Sequence, residues 1–337
     1  MMNDAAIEPF AEADGFRSVI THLIRRGVLT DPKATVIRLS GGVSNDVLAV
    51  SGKDVHFVVK RALSRLRVEE EWYADPDRLL AEAAALEIAA ALQPARVPPV
   101  LDIDAESRIV VIGFAEDGAH EWKSELLEGV LDLDTAALLG RVLARWHADT
   151  RHSPDIRSQF GSLEAFDQLR IDPFYRWTAQ RHPNAADVIL STAERMLASR
   201  TCLVHGDFSP KNILVGPTST WVIDWEVAHY GDPVFDLAFL VSHLACKALH
   251  RPEHSDGFRQ LTETYLANYR SVELQSNSDW DENYLAQHIA CLMLARIDGK
   301  SPVPYLNDDA RDRGRSTALK LLSTPELSLF HIWKALS

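Results

Sequence analysis

The sequence predicts an α+β fold: a small β-rich N-lobe carrying one long helix, followed by a larger α-rich C-lobe. Three observations lead there. Short runs rich in β-branched residues, at 35–39, 47–50, 55–60, 100–103 and 108–112, are confined to the first third of the chain. Helical spacing of apolar residues dominates from about residue 121. The 337 residues are also enough for two domains at the usual ~150 residues each.

The elements follow in order. Residues 14–29 place Phe16, Val19, Ile20, Leu23 and Ile24 on one side of a helix. The first two strands are joined by Ser40-Gly41-Gly42-Val43-Ser44-Asn45, and the next pair by Ser51-Gly52-Lys53-Asp54. Both links have the small and polar residues of turns. Asp75 and Pro76 read as a cap and a first-turn proline, opening a helix that runs to about Leu92. Pro94, Pro98 and Pro99 end it, and two more strands follow. The border falls near Phe114–Gly118, giving lobes at 1–115 and 116–337. In the second lobe, helices are expected at 134–148, 185–198, 234–250, 257–271 and 280–298. The stretch from 202 to 236 breaks that pattern with short strands.

Composition excludes several classes. A net charge of −13 argues against nucleic-acid binding, which needs a basic surface. No apolar run approaches the ~18 residues of a membrane helix. The acidic start, MMNDAAIEPFAEADGF, lacks the basic region of a signal peptide. Cys202, Cys246 and Cys291 are widely spaced and form no metal-binding pattern. The expectation is a cytoplasmic protein, monomer or homodimer, that binds neither membrane nor nucleic acid.

The chemistry concentrates in His205-Gly206-Asp207-Phe208-Ser209-Pro210-Lys211-Asn212. Two apolar runs, 213–215 and 221–223, then flank a Gly-Pro-Thr-Ser-Thr turn, and Asp224-Trp225-Glu226 follows. A hairpin brings its open ends together. It would set the Asn212 carboxamide beside the Asp224 carboxylate, hard oxygen ligands suited to Mg²⁺ with phosphate oxygens completing the shell. Asp207, five residues before Asn212, is placed to take a proton from a hydroxyl near that ion.

This pattern resembles the aminoglycoside phosphotransferase and choline kinase superfamily, whose fold is similar to that of protein kinases. There the catalytic loop reads HRDxxxxN and precedes a DFG-type metal aspartate. Here the corresponding residues are HGDFSPKN and IDWE. The resemblance covers most of residues 35–240. It implies Asp207 as catalytic base, Asn212 and Asp224 as Mg²⁺ ligands, and His205 as support for the loop. In GDPVFDLA, at 231–238, it implies that Asp236 steadies the loop, and it makes Trp146-His147 a packing feature.

On the nucleotide side, the resemblance makes Lys60 the lysine that contacts the α/β-phosphates of ATP, with GTP as the alternative donor. Its acidic partner comes from the helix at 76–92, where Glu82 and Glu87 are both available and helical spacing favours Glu82 modestly. The glycines and serines at Ser40, Gly41, Gly42 and Ser44, with Asn45, form the loop expected to cover the phosphates. Gly113 and Ala115, at the lobe border, are expected to hold the adenine through backbone groups.

The resemblance implies a small hydroxylated molecule as the acceptor. Trp280, Asp281, Glu282 and Tyr284, then Arg296, Asp298 and Lys300, are candidates to line its site. Their mixed charge leaves open aminoglycosides, macrolides, amino alcohols, sugars and homoserine-like metabolites. The expected function is ATP-dependent O-phosphorylation. The alternative is a catalytically degenerate, ligand-binding relative.

Overall fold

The β-branched runs of the first third pair into a single antiparallel sheet. The computed structural model describes residues 14–39, 45–63, 75–273 and 281–337. These divide into two compact units. One comprises the described residues up to Ala119 together with Gly216–Glu226, and the other comprises His120–Val215 and Val227–Ser337.

The first unit holds strands β1 (Thr35–Arg38), β2 (Asn45–Ser51), β3 (His56–Ala62), β4 (Val100–Asp104) and β5 (Ile109–Gly113) in the order β1-β2-β3-β5-β4. Helix α1 (Asp14–Arg25) buries Val19 and Leu23 against Leu48, Val50, Phe57, Val59, Ile109 and Val111. Side chains alternate along a strand. Lys60, one residue out of phase with Val59, therefore takes the opposite face, where it meets Glu82 of helix α2 (Arg78–Leu92).

Of the boundaries that differ from the sequence reading, two have a plain local cause. Helix α1 stops at Arg25 rather than residue 29, because Gly27 turns left-handed at φ 76° and the Val28 N–H closes onto Leu23 O. Helix α2 starts at Arg78, since the Asp75 side chain accepts the N–H of Asp77 in a turn before the helix.

The second unit begins with β6 (His120–Glu121), α3 (Trp122–Glu128) and α4 (Leu133–Thr150), the last capped by Asp132, which accepts the N–H groups of Asp134 and Thr135. Short helices α5 (Pro154–Gln159) and α6 (Glu164–Phe166) lead into a wide-turned π-helical segment, Asp167–Arg176, with Pro173 inside it. Then come α7 (Trp177–Arg181), α8 (Ala186–Ala198), β7 (Cys202–Val204) and β8 (Ile213–Val215). Strand β9 (Thr220–Val222) belongs to the first unit. Strand β10 (His229–Gly231) pairs antiparallel with β7, bracketing the loop that starts at His205. The chain finishes in α9 (Val234–His250), α10 (Ser255–Glu273), α11 (Glu282–Asp298), α12 (Asp308–Leu322) and α13 (Leu329–Leu336). The sequence reading anticipated neither the π segment nor the last two helices. Among the described residues, no helix is long and apolar enough to cross a membrane.

Helix α9 is buried along nearly its whole length, so it forms the axis of this unit. Helices α4 and α10 pack so closely that a Cβ at Gly140 would strike the backbone oxygen of Tyr265. Gly140→Val should therefore lower stability by about 1–3 kcal/mol, the range for overpacking. Urea unfolding would measure it. An unchanged midpoint would show that the helices separate at no cost.

Candidate active site

In the first unit, Lys60 Nζ lies 2.5 Å from Glu82 Oε1 and 2.9 Å from Asp224 Oδ1. The available alternative, Glu87, is exposed on the far side of α2. Glu226 completes the group: its Oε2 accepts Arg78 Nε at 3.1 Å and Asn45 Nδ2 at 3.0 Å. Asn45 thus has its side chain engaged with Glu226 and buried. Burial pushes Lys60 towards neutrality, but the carboxylates of Asp224, Glu82 and Glu226 outweigh it and raise its pKa. Burial raises Glu82, aided by Asp224 and Glu226 and opposed by Lys60. Its Oε2 is buried with no partner among the described residues. Asp224 sits at φ 69° with a side chain 20% exposed. A non-glycine residue held left-handed is strained by about 1–3 kcal/mol, and such strain collects at functional sites.

Gly113 ends β5, where a Cβ would fall 2.8 Å from Pro99 Cδ, so glycine is required there. Its N–H is already donated to Pro99 O at 2.9 Å. Ala115 follows, half-buried. The expected phosphate loop residues Ser40, Gly41, Gly42 and Ser44, and Trp280 on the acceptor side, lie outside the described residues.

In the second unit, Asp207 is the focus. Its Oδ1 lies 3.0 Å from Arg170, and its Oδ2 lies 3.0 Å from Lys211 Nζ and 2.7 Å from Asn212 Nδ2. Asn212 Nδ2 also donates to Asp207 O. Its amide nitrogen is thereby occupied, which leaves Oδ1, a hard oxygen of the type Mg²⁺ takes. The carboxylate of Asp224 is a donor of the same class.

The loop before Asp207 is fixed by Asp236, whose side chain is fully buried. Its Oδ2 accepts the His205 N–H at 2.7 Å, and its Oδ1 accepts the Gly206 N–H at 2.9 Å. His147 Nε2 lies 3.2 Å from the same carboxylate, while His147 Nδ1 lies 2.9 Å from the Tyr269 hydroxyl. Burial pushes Asp236 up, but His147 and His205 outweigh it and hold its pKa below the usual value. His205 Nδ1 accepts the Asp207 N–H at 3.1 Å. Gly206 is left-handed at φ 78°, and a Cβ there would meet Val227 O at 2.6 Å.

Sequence reasoning missed Arg170, Arg78 and the role of Glu226. Arg170 sits in the π segment, where its Nε donates to Gly206 O at 2.7 Å. No motif marks it, although π turns recur at functional sites. Glu226 is visible in Ile223-Asp224-Trp225-Glu226, but nothing in that motif by itself assigns it a partner. The cysteines are buried and free, and burial pushes Cys246 up to about 11 and Cys291 up to about 12.

Residues 35–306 match the model of the phosphotransferase enzyme family, APH. The chain belongs to this family. It is 25% identical over 250 residues to methylthioribose kinase 2 of Oryza sativa subsp. japonica, covering 66% of this chain and 58% of that one. It is 27% identical over 259 residues to methylthioribose kinase of Bacillus thuringiensis, covering 67% and 65%. The chain thus spans about three fifths of the length of these relatives. An ethanolamine kinase of Plasmodium vivax superposes with a TM-score of 0.56 at 10% identity, over 94% of this chain and 90% of that one. The α+β fold of the family is protein-kinase-like, as the motifs led one to expect.

Two outcomes follow from these contacts. Asp236→Ala strips the buried partner from two backbone N–H groups and His147, and should cost about 3–5 kcal/mol in urea unfolding. A loss below about 1 kcal/mol would mean that the loop is held elsewhere. Glu116 accepts hydrogen bonds from Thr218 and Ser219, which hold its pKa down to about 2 against an ordinary 4.5. A depressed carboxylate stabilises fully above 4.5 and loses that contribution as the pH falls towards 2. Glu116→Ala should flatten the stability–pH curve across that window, as followed by acid titration of thermal midpoints.

Proposed function

We propose that this chain is an ATP-dependent O-phosphotransferase that moves the γ-phosphoryl group to a hydroxyl of a small molecule. The observation that carries this reading is the Lys60 ammonium held between the Glu82 and Asp224 carboxylates. A buried ion group of this cost persists where its charge is used, and a lysine paired to a helix glutamate is the phosphate-binding arrangement of protein-kinase-like enzymes. Kinase relatives with small-molecule acceptors support the same class.

In this reading Lys60 contacts the nucleotide phosphates. The Asn212 carboxamide and the Asp224 carboxylate would each hold Mg²⁺ through a hard oxygen, and the ion would offset the charge of the phosphates. Asp207 accepts a hydrogen bond from the acceptor hydroxyl. As the acceptor oxygen bonds to phosphorus and the bond from phosphorus to the ADP oxygen breaks, the hydroxyl proton passes to Asp207. Arg170 and Lys211, each 3.0 Å from that carboxylate, hold it in place as a base. Such a base suits the loose transition state of phosphoryl transfer, in which the proton leaves late.

A screen of ATP consumption across hydroxylated metabolites and antibiotics, repeated with GTP, identifies the acceptor and the donor. Asp207→Asn should then lower turnover by about 10²–10⁴-fold, the usual worth of a positioned base, with nucleotide affinity retained. Wild-type turnover in that variant would remove Asp207 from the chemistry.

A further inference from the structure

Beside Asp207 the second unit gathers buried cations, Lys247 and Arg296, that form no ion pair among the described residues. Lys247 on α9 is 1% exposed, and among the described residues its Nζ has neither a hydrogen bond nor an ion pair. Its nearest aromatic contact is the Tyr305 ring, 5.5 Å away. One turn earlier, His243 is also buried, and its Nε2 has no partner. On α11, the Arg296 guanidinium lies 5.5 Å from the Phe174 ring, and its Nε is buried without a partner. Arg170, which holds Asp207, lies over the same ring at 5.6 Å. The Tyr305 hydroxyl is buried and unpaired as well.

The charges act on one another. Burial pushes Lys247 down to about 7, and Lys123 and Arg296 push it further the same way. Burial lowers His243 too, followed by Arg296, Lys247, Lys211 and Lys123. Asp207 is the carboxylate that bears on Arg296, and it is already shared by Arg170 and Lys211. A buried cation without a partner is costly, and here an ammonium and a guanidinium meet it together. Every unsatisfied group except His243 is a donor, and imidazole can donate as well. Such a constellation is completed by an anion. A cationic aminoglycoside or amino alcohol would meet repulsion at the same place.

We infer that the acceptor is an anionic hydroxy compound whose carboxylate or phosphate is bound by Lys247, Arg296 and the Tyr305 hydroxyl while its hydroxyl faces Asp207. This rests on the phosphotransferase reading above and narrows its substrate class.

The test titrates the full chain with glycerate, glycerol 3-phosphate, glycerol and choline by calorimetry, with MgATP binding measured in parallel. At least one anion should bind about tenfold or more tighter than glycerol, the worth of a charge-assisted hydrogen bond. Choline should be weakest, and the tighter anion distinguishes carboxylate from phosphate. Lys247→Met and, separately, Arg296→Met should each erase that preference and leave MgATP affinity unchanged. Lys247→Met should also raise Tm, because it removes a buried polar group without a partner, and this confirms that the variant folds. Glycerol binding as tightly as its anions, choline binding tightest, or a preference that survives both substitutions would overturn the inference. MgATP binding without anion preference defeats this inference alone. Anion preference without MgATP binding defeats the phosphotransferase reading and leaves the anion site standing.

Discussion

The α-rich unit turns on one buried carboxylate. Asp236 opens α9, the most deeply buried helix, and spends both oxygens on the backbone of the loop that presents Asp207. His147 from α4 meets the same carboxylate and reaches on to Tyr269 of α10. Three helices and one loop are thereby tied through a single ion. The loop itself is conformationally narrow, since Gly206 takes a left-handed turn against Val227 O. Given that turn, the direction of Asp207 follows, and Arg170, Lys211 and Asn212 converge on it.

The β-rich unit solves a different problem, that of keeping a lysine charged inside a fold. Three carboxylates and Arg78 surround Lys60 without full mutual satisfaction, since one oxygen of Glu82 has no partner. Hydrophobic replacement of such a group is commonly neutral or stabilising. Its presence, together with the strained backbone of Asp224, is the pattern expected where stability is exchanged for chemistry, in keeping with the function proposed above.

Whole-chain charge is a poor guide to the acceptor. The total of −13 suggests affinity for cations, yet the charged groups that act on Asp207 are Arg170, Lys211 and Arg296, with Lys247 acting on Arg296 in turn. Electrostatics falls off within about a Debye length of 8–10 Å, so the sign that matters is local. Lys247 read as part of a helix and Arg296 as one member of a mixed-charge run. Only burial removes their usual escape into solvent.

The sequence by itself determined what depends on short spacing. Alternation along β3 put Lys60 opposite Val59, the helical repeat of α2 favoured Glu82 over Glu87, and five residues of loop joined Asp207 to Asn212. Covalent geometry and the periods of 2 and 3.6 settle such relations locally. The tertiary structure alone decided the rest. It brought Arg170 to Asp207 through a π segment with no sequence mark, paired Glu226 with Arg78 and Asn45, and enclosed Lys247 beside Arg296. These pairings join segments far apart in the chain, and their energies depend on how much water each site excludes, a quantity fixed only when the helices have packed.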